Sequence, residues 1–281
     1  MSATPNLESP KGFSDLLPRA LSGVAMAAVS VAAVWFGAWS FGLLVAVLGG
    51  VASWEWSRIV RRTAFDGFFL VHAAFVVLAA LAAMAGYAVP ASVGLVVGCI
   101  VLLVLRLGRK DLLTGLGVLC IGLPAVCLVL LRGDNAFGLT AMLFVFAVVW
   151  ATDIGGFVFG RAIGGPRLWP AMSPGKTWAG AGGGLLLAAA AGAGMAWHMR
   201  STDPLAVILV ALMLGLAAEM GDLAESALKR SFGLKDASKL IPGHGGVLDR
   251  IDGLMAAGVA ATVLAMLRNP MHPGAGLLFW H

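Results

Sequence analysis

Nine apolar stretches follow one another along the chain, at about residues 21–36, 39–60, 68–84, 90–107, 112–131, 137–159, 180–199, 205–223 and 253–267. Several approach the roughly 20 residues that a helix needs to cross the hydrocarbon core of a bilayer, while the first and last are short. Backbone polar groups in that core must be satisfied within the segment itself, so runs of this kind are restricted to helices. The composition agrees, with 60% hydrophobic and only 12% charged residues among 281 and a mean hydropathy of +0.94, far from the mix of a soluble domain. The expected fold is an all-α polytopic integral membrane protein with about nine transmembrane helices, eight or ten being the alternatives. Stretch 21–36 follows Lys11 and Arg19 and so has the basic flank and apolar heart of a secretory signal. Another apolar run follows at once, which makes it an uncleaved first span.

The 19 Lys and Arg residues give an orientation. With the N-terminus cytoplasmic, that side receives Lys11, Arg19, Arg58, Arg61, Arg62, Arg106, Arg109, Lys110, Arg161, Arg167, Lys176, Lys229, Arg230, Lys235, Lys239 and Arg250. Arg132, Arg200 and Arg268 fall on the other side, a split of 16 to 3 that follows the positive-inside rule and requires an odd number of spans. The net charge of +5 does not point to nucleic acid, because the cations sit between apolar segments rather than along one basic face. Anionic head groups and an anionic substrate account for them better. Cys99, Cys120 and Cys127 lie in apolar runs without the spacing of a ligand set, and are expected to be small buried apolar residues.

Three regions are expected: a polar cytoplasmic tail over 1–20, scaffold helices over 21–135, and a catalytic transmembrane region over 136–281 with a cytoplasmic loop at 224–252. The charge concentrates in that last region. Glu219, Asp222, Ser226 and Lys229 recur at intervals of three or four and share one helical stripe, with Glu225 beside it. Carboxylates near the end of a span are costly and face a polar cavity or one another; the plain alternative is a solvated helix end. Asp249 and Asp252, at the start of the last span, form a second acidic pair that could face the first. One carboxylate from each side is a way to hold a Mg²⁺ ion that also binds substrate phosphates. Between them, Pro242-Gly243-His244-Gly245-Gly246 gives a flexible turn whose amides could approach an anion, with His244 as a donor.

A second element is Ser173-Pro174-Gly175-Lys176-Thr177-Trp178. Ser as N-cap followed by Pro predicts a helix start here, and a helix N-terminus bearing Lys and Thr is a phosphate seat. A plain capped helix with a lysine among head groups is the competing reading. The element is not a Walker A loop, since the two-glycine frame is missing. Asp153 lies within an apolar run beside Gly155 and Gly156, where an ionisable residue marks a functional site or a partner for a neighbouring cation. Arg161 and Arg167 follow it as lipid-pairing or topology-setting charges.

These residues together resemble the bacterial phosphatidate cytidylyltransferases, also called CDP-diacylglycerol synthases. The family signature looks like Ser-x-x-Lys-Arg, four residues, Lys-Asp, a spacer, a Pro/Gly/Ser position, x-His-Gly-Gly, two residues and Asp-Arg-x-Asp. It is met by Ser226, Lys229, Arg230, Lys235, Asp236, Pro242, His244, Gly245, Gly246, Asp249, Arg250 and Asp252. Asp153 and the Ser173-Pro174-x-Lys176-Thr177-Trp178 element are similar in kind and order, so the resemblance spans about 150–253. Two positions depart from it: Ala179 stands where many members have an acidic or amide residue, and Gly156-Phe157 where many have Ala-Tyr.

The resemblance implies transfer of CMP from CTP to phosphatidic acid, giving CDP-diacylglycerol and pyrophosphate at the cytoplasmic face of a bacterial inner membrane. It implies Mg²⁺ held by Asp222 and Asp249, leaves a second cation open, and by analogy suggests a homodimer. The catalytic set it implies is Asp153, Lys176, Asp222, Glu225, Lys229, Arg230, His244, Asp249 and Asp252. CTP and lipid phosphate would be held by Ser173, Lys176, Thr177, Ser226, Lys229, Arg230, Lys235, Asp236, His244, Gly245, Gly246 and Arg250. Two other classes compete: a CTP-dependent enzyme acting on another lipid phosphate or a polyprenol, and an organic-anion transporter using Asp153 and Asp222 as coupling-ion sites. The transporter is disfavoured because the polar residues gather at one membrane face rather than the midplane.

Overall fold

The structure, a computed structural model, describes residues 16–106, 112–133, 137–241 and 245–280. The chain is an all-α polytopic membrane protein. Its long helices are α1 (Leu16–Trp35), α2 (Ala38–Arg61), α3 (Gly67–Met84), α4 (Ala88–Leu105), α5 (Leu112–Arg132), α6 (Gly138–Ala162), α7 (Trp178–His198), α8 (Pro204–Ser231) and α9 (Leu248–Arg268). A short helix, α10 (Pro273–Leu278), follows them. Among the described residues, the eight helices α2 to α9 are long and apolar enough to cross a membrane, and α1 adds a shorter apolar stretch, Leu21–Trp35. Each of the nine apolar runs therefore became a helix.

The helices pack through small residues, as expected where lipid supplies no hydrophobic drive between them. The most extensive contact is between α6 and α7. There a Cβ on Gly155 would stand 2.5 Å from the Gly183 carbonyl oxygen, and one on Gly180 2.8 Å from that of Gly156. Only glycine permits such an approach, and it brings the end of α6 that carries Asp153 against the start of α7. In the other half, Trp56 Nε1 donates to Leu113 O at 2.8 Å and pins α2 to α5.

The ends of the helices sort into two groups. Arg62 Nη2 donates to Phe232 O, joining the C-terminal ends of α2 and α8, and the α8 end lies against the start of α9 through the Lys229–Asp249 pair. At the opposite end, Arg268 donates to Phe279 O and Thr202 to Trp280 O. Arg58, Arg61, Arg62, Arg161, Lys176, Lys229, Arg230 and Arg250 all belong to the first end.

Three expectations need correction. The chain over 173–177 is not the first turn of a helix: Ser173–Thr177 is a strand, β2, paired antiparallel with β1 (Arg167–Trp169) in a small hairpin between α6 and α7. The true N-cap is Thr177, whose hydroxyl accepts from Gly180 N at 3.0 Å. Pro174 constrains the backbone as readily in an edge strand as in a first helical turn, so the Ser-Pro pair alone did not discriminate. Second, α8 continues eight residues beyond the apolar run 205–223, to Ser231. At about 1.5 Å per residue its 28 residues reach about 42 Å, against about 30 Å of hydrocarbon. The stripe of Glu219, Asp222, Ser226 and Lys229 is helical, as its spacing indicated, and the loop expected over 224–252 is instead helix as far as Ser231. Third, Cys120 is exposed on the outer face of α5, unlike buried Cys99 and Cys127; all three are free thiols.

Candidate active site at one end of the bundle

The hairpin, α6 around Asp153, the start of α7 and α8 around Glu219 and Asp222 line a recess of ≈ 230 Å³. Asp153, Lys176, Thr177, Glu219 and Asp222 line it. Lys176 comes from β2 and reaches across to α8, where its Nζ stands 2.8 Å from Asp222 Oδ2 and 3.4 Å from the Glu219 carbonyl. Ser226, one turn on from Asp222, donates to Asp222 Oδ1 at 3.3 Å. The Asp222 side chain remains 37% exposed, and that of Lys176 25%. Both therefore keep open sides toward an incoming ligand.

Asp153, Glu219 and Asp222 lie within electrostatic reach of one another and of Lys176, and Arg250 adds its field at Asp153. Three carboxylates and one ammonium, that of Lys176, thus line the recess.

A second cluster adjoins the first and is buried. Lys229 of α8 is held between Glu225, one turn before it, and Asp249 of α9. Asp249 Oδ2 accepts from Gly246 N at 2.7 Å and from Ala237 N at 3.0 Å, while Oδ1 takes Lys229 Nζ at 2.5 Å. Asp252, one turn further along α9, lies within electrostatic reach of Lys229, Asp222 and Asp153 and so links the two clusters. The contact between α8 and α9 is close here: a Cβ on Gly221 would meet the Asp252 carbonyl at 2.6 Å.

Most of the expected site residues therefore come to one end of the bundle, though several have duties the sequence did not reveal. The Gly246 amide, expected to face a phosphate, is taken up by Asp249. Gly245 has φ +81°, a backbone conformation open to glycine at low cost, and a Cβ there would lie 2.7 Å from Asp249 Oδ2. Arg230 donates to the carbonyls of Met172 at 3.3 Å and Leu234 at 3.2 Å, tying the hairpin to the end of α8. Thr177 is the α7 cap, and Ser173 is half-buried in β2. Lys235, Asp236 and Arg250 are exposed, and of these Arg250 lies within electrostatic reach of Asp153. His244, with Pro242 and Gly243, lies outside the described residues.

One residue of the site was missed altogether. Glu55, on α2, is fully buried. It accepts from Ser238 Oγ at 2.6 Å, Val247 N at 2.9 Å and Leu248 N at 2.6 Å. A Cβ on Gly246 would stand 2.5 Å from Glu55 Oε1. The available signal was a single carboxylate between two tryptophans, Trp54 and Trp56, in an otherwise apolar helix.

Among the described residues, no three His, Cys, Asp or Glu side chains converge closely enough to hold a metal ion by themselves. The donors suit an ion that takes one or two carboxylates from protein and the remainder from phosphates and water, the habit of Mg²⁺ rather than of Zn²⁺ or Ca²⁺. Asp222, bonded to Lys176 and Ser226 but still partly exposed, could do this in the recess. Asp249 has both oxygens engaged by protein donors, and could join only by giving up its bond to Lys229.

Comparison with known proteins agrees with the geometry. Residues 17–267 match the family model described as the cytidylyltransferase family. Phosphatidate cytidylyltransferase of Brucella suis biovar 1 (strain 1330) is 38% identical over 267 residues, 94% of this chain and 98% of that protein. Its namesake in Brucella abortus biovar 1 (strain 9-941) is 39% identical over 248 residues, 87% and 91% of the two chains. A phosphatidate cytidylyltransferase of Staphylococcus haemolyticus (strain JCSC1435) is 42% identical over 119 residues, 42% of this chain and 46% of that protein. A match along nearly the whole length, on an all-α membrane bundle with its acidic recess at one end, means that this chain belongs to the cytidylyltransferase family.

Proposed function

We propose that this protein is a phosphatidate cytidylyltransferase, which transfers CMP from CTP to phosphatidic acid and releases pyrophosphate. The observation that carries the proposal is the recess itself. It combines Lys176, Asp222, Glu219 and Asp153 where the apolar run of α8 gives way to its charged end, a position in which a soluble nucleotide and a lipid head group could meet.

An oxygen of the lipid phosphate attacks the α-phosphorus of CTP, and the bond from that phosphorus to the bridging oxygen of pyrophosphate breaks. The nucleophile is already an anion, so positioning and charge neutralisation outweigh general-base catalysis. Mg²⁺, when bound, supplies Lewis-acid neutralisation of the phosphate charge, and Asp222 with Asp153 or Glu219 beside it would hold it. Lys176 orients Asp222 and presents an ammonium to phosphate oxygens from the hairpin side. Arg250, within electrostatic reach of Asp153, and exposed Lys235 would offer further cations to the triphosphate or the lipid phosphate. Buried Lys229 instead locks α8 to α9, keeping the carboxylates of both helices in register. The 16 to 3 division of basic residues supports a cytoplasmic position for this end of the bundle in a bacterial inner membrane.

Lipid identity is tested by offering the purified protein CTP together with phosphatidic acid, an isoprenoid-ether phosphate or a polyprenol, and identifying lipid products by mass spectrometry. CDP-diacylglycerol from phosphatidic acid, in clear excess over the other products, is the expected result. Turnover of either alternative lipid without turnover of phosphatidic acid would reassign the substrate.

A further inference from the structure

Glu55 belongs to the half of the chain that the sequence marked as scaffold, yet it reaches the start of α9. An ionised carboxylate with no exposure among transmembrane helices is costly unless its lone pairs are filled. They are filled by three donors, none of which belongs to α2. Two of them, Val247 N and Leu248 N, are amides at the N-terminus of α9, which would otherwise lack intrahelical partners. The α9 N-cap residue, Val247, supplies no side-chain hydrogen bond of its own. Glu55 thus acts as a cap delivered from another helix, 193 residues away from Leu248 in sequence, and its charge complements the positive end of the α9 dipole.

The position of that cap has chemical consequences. Asp249 is the second residue of α9 and Asp252 lies one turn further on, so the point where α9 begins sets where both carboxylates stand. The same carboxylate holds Ser238, in the segment whose Ala237 amide binds Asp249. It also fills the anion seat at the α9 N-terminus, so substrate phosphates must find their donors elsewhere, Lys176 and Arg250 among them.

We propose that Glu55 is a positioning residue for nucleotidyl transfer: it fixes the start of α9 and Ser238, and through them Asp249 and Asp252, without touching substrate. The role presupposes the cytidylyl-transfer site proposed above.

Glu55→Gln is nearly isosteric and cannot reproduce the arrangement. One orientation of the amide turns its NH₂ toward Leu248 N–H, and the other turns it toward Val247 N–H, so one backbone donor always loses its acceptor. The test uses full-length protein in detergent and two readouts, amide hydrogen exchange across 236–252 and steady-state kinetics with CTP and phosphatidic acid. In Glu55→Gln, exchange at 245–249 should quicken by roughly tenfold or more while the other helices keep their protection. The kcat should fall roughly 10- to 100-fold with little change in KM for CTP. Should that variant fail to accumulate, Ser238→Ala strips one bond and keeps the carboxylate, and should shift both readouts in the same direction by roughly two- to fivefold.

Unchanged exchange at 245–249, or faster exchange with normal kcat, would overturn the proposal, as would a rise in KM alone. An inactive wild-type protein would refute the cytidylyl-transfer site instead, while the exchange data would still decide whether Glu55 orders the start of α9.

Discussion

Lys176 Nζ lies 2.8 Å from Asp222 Oδ2, joining the hairpin between α6 and α7 to α8. Both partners keep exposed area, so the bond is a closure of the recess that a phosphate or cation can exchange. The Lys229–Asp249 pair a short way off is buried and saturated by further donors. Two acidic residues that look equivalent in the sequence are therefore expected to respond differently to the same substitution.

Asp222→Asn removes a charge from a partly open recess. Turnover should fall by roughly 10²-fold or more, with the melting temperature in detergent close to that of the parent. Asp249→Asn should also lose turnover, but it leaves Lys229 with one carboxylate instead of two in a buried setting, costing up to about 3 kcal/mol. A clear drop in melting temperature for Asp249→Asn and none for Asp222→Asn, measured side by side, is the expected pattern. Equal melting temperatures would remove the distinction between a site carboxylate and a locking one.

Gly246→Ala tests the packing of the signature turn. Its new Cβ would stand 2.5 Å from Glu55 Oε1, an atom fixed by two donors and unable to swing away. Overpacking of this kind costs about 1–3 kcal/mol, and both the melting temperature and the rate should fall. Gly182→Ala, on an exposed face of α7 with nothing within 4 Å of the added carbon, is the matched control and should leave the rate unchanged and the melting temperature equal or slightly higher. A Gly246→Ala protein as stable and active as its parent would mean that the turn does not seat against Glu55.

A pH effect is expected at Asp66, in the link before α3. Burial pushes its carboxyl upward, but the Arg61 guanidinium, the Phe69 amide and Thr63 outweigh that and hold it below the ordinary value of 3.8. Arg61 reaches both oxygens, at 2.5 and 2.7 Å, and Phe69 N makes the α3 N-cap bond at 2.8 Å. A carboxyl depressed in the folded state adds stability that is complete above its unfolded value and disappears as pH falls through its folded value. Asp66→Asn keeps a capping side chain but loses the charge pair with Arg61, so it should lower stability by up to about 1 kcal/mol near neutral pH, and the difference from the parent should shrink below about pH 4. A difference that stays constant from pH 7 to pH 3 would contradict the assignment.

The membrane architecture was legible because a span must be apolar over its whole length, and α2 to α9 each stand on such a run. The end of α8 was not, because hydropathy marks where lipid ends and not where the helix does; Asp222 to Ser231 continue helical in a polar setting. Ser226, Lys229, Asp249 and Asp252 were found by spacing, since residues three or four apart share a helical face. Their division between an open recess and a buried lock depends on how α8 meets α9 at Gly221, which spacing does not encode. The Ser173–Thr177 strand was hidden by the ambiguity of a Ser-Pro pair. Glu55 escaped notice because its three partners lie nearly 200 residues away and two of them are backbone amides.

The central claim is most directly tested by transfer of radiolabelled CMP from CTP to phosphatidic acid by the purified protein in detergent, with and without Mg²⁺. Metal-dependent CDP-diacylglycerol formation with one pyrophosphate released per product, lost in Asp222→Asn, is the predicted result. A folded protein that forms no CDP-diacylglycerol at any Mg²⁺ concentration would contradict it.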